Sequence, residues 1–148
     1  MHSYAKLYKF LQNKRFQKFE KWFLLIFWAG AIFFLSSRPL GFLVPIDIWG
    51  IILRKLAHAF EFGVLTFLIF RVLGQTEKRH IYWNLCWAFI FTVLYAVSDE
   101  YHQSLVQGRI GVYSDVLIDS AGGFVAAWLI YIYYHHEKVR QIKYKKIQ

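Results

Sequence analysis

The chain has 148 residues, 57% of them hydrophobic and 21% aromatic, and a mean hydropathy of +0.33. So apolar a composition excludes an ordinary soluble domain and identifies a membrane protein. The net charge of +9 would suggest nucleic acid for a soluble chain. Here the basic residues flank apolar spans, so no nucleic-acid partner is inferred.

A basic tail over residues 1–18 leads into the first apolar window, 19–37, which predicts a membrane-spanning helix. Ala29, Gly30 and Ala31 imitate a signal-peptidase site, yet cleavage would leave Ile32, Phe33 and Phe34 inside the same apolar run, so the span is read as uncleaved. Pro39, Gly41 and Pro45 then interrupt the chain, and Ile46, Trp49, Ile52 and Leu53 suggest a short interfacial turn that covers the neighbouring polar groups as a lid.

The second span is expected at 56–73, and its helix carries Arg54, His58 and Glu61 at i, i+4 and i+7, with Lys55 beside them. The third, 81–97, is followed by Asp99 and His102 at i, i+3, while Glu100 points about 100° away and reads as a solvated or loop-facing charge. Cys86, the only cysteine, has no base beside it and reads as a packing residue. The fourth span, 116–134, opens with Asp115 and Asp119, and Gly122, Gly123, Ala126 and Ala127 then let another backbone approach closely. A basic tail, 135–148, closes the chain.

These elements predict an all-α, single-domain bundle of four transmembrane helices with a short interfacial segment after the first. Basic residues concentrate in both tails and the second connection, which puts both termini in the cytoplasm. The polar groups of the second, third and fourth helices then converge at the extracytoplasmic face. Ionisable groups cost roughly 2.5–3.5 kcal/mol each at the centre of a span, so their convergence calls for a function.

Three stretches carry a family resemblance: FLSSRP at 34–39, KLAHAFEFGVL at 55–65 and SDEYHQSLVQGRIGVYSDVLIDSAGG at 98–123. Together they resemble the VanZ-like integral membrane proteins of bacteria over residues 35–128. Lys55, His58, Glu61, Asp99, Glu100, Gln103, Arg109, Asp115 and Asp119 occupy matching positions. Gln107 stands where the resemblance leads one to expect proline, and Phe62 where tyrosine is usual. The resemblance implies a bacterial plasma-membrane protein, and some members are associated with resistance to teicoplanin-type glycopeptides. It implies no molecular activity.

Three functions remain open on the residues themselves. In the first, Arg54, Lys55, Gln103, Arg109 and Asp115 bind an anionic headgroup of a membrane lipid or lipid-linked cell-wall precursor, with arginine gripping phosphate through paired hydrogen bonds. In the second, His58, Glu61, Asp99, His102 and Asp119 form a catalytic set acting on a lipid phosphate, His58 or a carboxylate being the general base. No cofactor is assigned; the imidazole and carboxylates suit a divalent metal, but their spacing matches no metal motif. In the third, the same groups pin the helices together as a polar network. Ser36 and Ser37 fit either the site or the bonding of carbonyls at a helix end.

Overall fold

A computed structural model describes residues 13–38, 47–74, 81–107, 109 and 111–145, with side chains to residue 142. The expected break at Pro39, Gly41, Pro45 and Ile46, and parts of both tails, lie outside the described residues. Four helices account for nearly all of the rest: α1 (Lys14–Ser36), α2 (Ile48–Leu73), α3 (Ile81–Ser104) and α4 (Tyr113–Lys145). Each is long and apolar enough to cross a membrane.

Local chemistry fixes where the helices start and stop. The Asn13 side chain accepts from the Arg15 amide, and Asp47 accepts from the Gly50 amide at 2.7 Å, so each caps an otherwise unpaired helix start. The Asp47 cap starts α2 eight residues before the apolar window at 56. Trp49, Ile52 and Leu53 therefore belong to the first turns of α2, and Trp49 is 69% exposed rather than folded over the polar groups as a lid. The α3 and α4 helices likewise run past their apolar windows, through Asp99–Gln103 and into the basic tail respectively. Backbone pairing carries a helix through charged residues that a hydropathy window excludes.

The contacts alternate in direction. Ser36 at the end of α1 meets Asp99 near the end of α3, and Lys55 near the start of α2 meets Asp115 at the start of α4. At the opposite end Glu20 of α1 pairs with Arg71 of α2 at 3.2 Å. Thus α2 and α4 run together, with α1 and α3 antiparallel to them. The most extensive packing joins α2 and α4. It depends on Gly122, where an added Cβ would lie 1.9 Å from the Ala59 carbonyl oxygen, so the two backbones touch where side chains would otherwise hold them apart.

Ile32, Phe62, Leu65, Ala88 and Ala96 are the buried centre of the bundle, while Phe23, Phe27, Phe60, Trp83 and Val125 face outward. An apolar exterior over an apolar core is the distribution a lipid-facing bundle requires. Cys86 is exposed on this exterior and takes no part in the core, contrary to its packing assignment. It follows Leu85, whose side chain takes the inward face at that turn.

Candidate functional site

The helix ends bring α1, α2, α3 and α4 to one shared polar cluster. Asp99, 3% exposed, is its centre. Its Oδ2 accepts from Ser36 Oγ at 2.9 Å and from Gln103 Nε2 at 2.7 Å. The Gln103 carbonyl oxygen in turn accepts from Arg109 Nη1 at 2.7 Å, so a hydrogen-bonded line joins α1, α3 and the loop before α4. Asp99 Oδ1 has no hydrogen-bond partner among the described residues.

His58 of α2 and Asp119 of α4 complete the centre. One donor atom from each of His58, Asp99 and Asp119 lies within 4.8 Å of the others. Asp119 is as buried as Asp99. Glu61 forms the edge, with Oε2 3.6 Å from His58 Nδ1 and the two side chains 17% and 16% exposed. That separation is an ion-pair distance and too long for a hydrogen bond. Trp28 Nε1 donates to the Glu61 carbonyl at 2.9 Å and fixes α1 against this turn.

Other expected site residues have local partners. Lys55 and Asp115 form an ion pair across the α2–α4 seam, each about a third exposed, so they largely satisfy each other. His102 lies outside the central cluster: its Nε2 is 2.9 Å from Ser37 Oγ and its ring stacks on Phe33 at 4.2 Å. Glu100 is not solvated. It is 8% exposed, and its Oε1 accepts from the Val112 amide, tying α3 to the loop before α4. The 100° offset from Asp99 directs it to that loop, which folds over it.

Arg54 and Arg109 differ from Lys55. Among the described residues neither forms an ion pair with a carboxylate. Burial, followed by the nearby Arg54 charge, lowers the Arg109 guanidinium from its ordinary value, though guanidinium remains a cation at neutral pH. Asp99, Glu100 and Asp115 oppose that shift without forming an ion pair with either arginine, which leaves both guanidinium groups able to bind an added anion directly.

Ser36 serves the site through Asp99, whereas Ser37 combines both expected roles, donating to the Phe33 carbonyl at 2.7 Å and meeting His102. The Trp28 contact had no sequence signal beyond its position in an apolar helix. Beside the cluster, Ala59, Phe60, Gly63, Phe67, Ile118 and Gly122 help line a groove of about 570 Å³ on the α2–α4 face. Ala59 and Ile118 adjoin His58 and Asp119 in the chain but lie about 100° around their helices from them, and the groove is lined by apolar residues, none of them from the polar cluster.

The sequence pattern of the family described as VanZ/LLP1 matches residues 16–134, which contain every residue of this cluster. No curated protein and no solved structure matches the chain.

Proposed function

This chain belongs to the VanZ/LLP1 family, and from that premise we propose that it binds the phosphate-bearing headgroup of an anionic lipid at the extracytoplasmic face of a bacterial plasma membrane. In this reading both termini are cytoplasmic, as the basic tails favour. Arg54 and Arg109 grip the phosphate, Gln103 orients Arg109, and the Lys55–Asp115 pair forms the rim. His58, Glu61, Asp99 and Asp119 receive the polar remainder of the headgroup.

The observation that carries this reading is the neighbouring Arg54–Arg109 couple, without a carboxylate ion pair among the described residues, at the same end of α2 from which an apolar groove runs along the α2–α4 face. From Ala59 to Phe67 the groove follows α2 for about 12 Å, close to the roughly 15 Å of hydrocarbon in one leaflet. A lipid has both parts, an anionic head and an acyl chain continuing from it. Lipid-linked cell-wall precursors are of this class, which connects the site to the glycopeptide tolerance that the family resemblance implies. The grouping of His58 with Asp99 and Asp119 favours, as a second reading, chemistry on the held phosphate ester.

The test is lipid retention. Purified chain incubated with equal phosphatidylglycerol and phosphatidylcholine and examined by native mass spectrometry is expected to retain phosphatidylglycerol at least tenfold better. Arg109→Ala removes that preference. Equal retention of the two lipids contradicts the proposal. In cells, Arg109→Ala and Asp99→Asn are expected to abolish any glycopeptide tolerance at unchanged protein abundance; a parallel loss of abundance would assign these residues to folding.

A further inference from the structure

We propose that His58, Asp99 and Asp119 hold a divalent transition-metal ion of the zinc or manganese class. The inference stands on these three side chains and does not depend on the headgroup reading. Their donor atoms lie within 4.8 Å of one another. Two donors on one tetrahedral ion at about 2.1 Å stand about 3.4 Å apart, so side-chain movements that bring the donors together by up to about 1.4 Å close the set around a metal.

The chemistry of the donors points the same way. One imidazole with two carboxylates suits zinc or manganese better than calcium, which takes six to eight oxygens. Ser36 and Gln103 both bond Asp99 Oδ2 and leave the buried Oδ1 without a partner. Outer partners on one oxygen and a bare second oxygen are how a metal-binding carboxylate is oriented. His58 comes from α2, Asp99 from α3 and Asp119 from α4, so an ion would join three helices at one point.

Charge supplies an independent reason. Among the described residues this end of the bundle carries five carboxylates that are at least partly buried, Glu61, Asp99, Glu100, Asp115 and Asp119, against the four cations Arg38, Arg54, Lys55 and Arg109, while Asp47 is exposed. Uncompensated buried charge is costly, and a divalent cation would offset charge at Asp99 and Asp119, where burial is deepest. Three protein ligands leave a position open on such an ion, where an oxygen of a phosphate can bind.

The test uses the full chain in detergent without added lipid, stripped with chelator, dialysed against zinc or manganese and assayed by elemental analysis. The expected result is about one ion per chain. His58→Ala and Asp119→Asn lose at least tenfold in affinity, and Ser36→Ala, which leaves all three ligands in place, weakens binding about tenfold through Asp99. Replacement of the tail residues His135 and His136 by Ala leaves binding intact. No ion above background, or equal binding by parent, His58→Ala and Asp119→Asn, overturns the metal site and leaves lipid retention to be decided separately. Should His58→Ala or Asp119→Asn lose its helical circular dichroism, Ser36→Ala decides: a folded Ser36→Ala protein with undiminished affinity also overturns it.

Discussion

Two polar contacts between helices of this bundle are built in opposite ways. At mid-bundle Thr66 and Thr92 are fully buried and meet at 2.9 Å, and their hydroxyls also engage the Phe62 and Ala88 carbonyls one turn back. That contact closes on itself. At the Asp99 end, Asp99 Oδ1, Glu100 Oε2, His58 Nδ1 and Arg109 Nε are buried without hydrogen-bond partners among the described residues; outside this end the same holds for Asn84 Oδ1. Leaving a buried polar atom unpaired costs about 1–3 kcal/mol, so an end serving only to join helices would be closed like the threonine pair. On the proposed reading, the concentration of open valences marks a place for a ligand rather than a fastener.

The largest expected effect comes from the seam that positions both contacts. Gly122→Ala drives a methyl group into the Ala59 carbonyl, and overpacking of backbone against backbone is expected to cost about 3 kcal/mol or more, read as a collapse in membrane abundance. Normal abundance and thermal stability would break the close approach of α2 to α4. Next, Arg109→Ala is expected to reduce anionic-lipid retention at least tenfold while moving unfolding stability by less than about 1 kcal/mol, since its one hydrogen bond to Gln103 is partly buried. Thr92→Val should do the reverse. Loss of its interhelical hydrogen bond is expected to cost about 0.6–1.7 kcal/mol with retention unchanged, measured by detergent unfolding and native mass spectrometry on one preparation. The smallest effect belongs to Glu20→Gln, because the Arg71 pair is about one-third exposed and such pairs contribute about 0–1 kcal/mol. A change in lipid retention there would mean that the two ends are coupled.

Helix number and type were legible because four apolar windows of spanning length have few alternatives in a membrane. The small residues near Gly122 also announced a close backbone approach, though not that α2 makes it. Helix ends were less legible: hydropathy falls at Arg54, Asp99 and the basic tail, but main-chain pairing does not, and the Asp47 cap lay in a segment read from its prolines. At the site, helical spacing correctly joined His58 to Glu61 and directed Asp119 toward a neighbouring helix. It could not separate His102 from Asp99, because Ser37 and Phe33 that claim His102 come from α1. The same blindness to cross-helix partners hid Trp28, while helical spacing left Glu100 either solvated or loop-facing, of which the structure shows the second.

The most direct measurement compares Asp99→Asn with the parent chain by reversible unfolding in detergent and by phosphatidylglycerol retention on the same samples. A ligand site predicts that the variant unfolds at the same or higher denaturant concentration, having lost a buried charge, while retention falls at least tenfold. A variant that loses about 2 kcal/mol or more of stability and still retains the lipid would make Asp99 a fastener like Thr66 and Thr92, and would contradict the assignment of this end to a ligand.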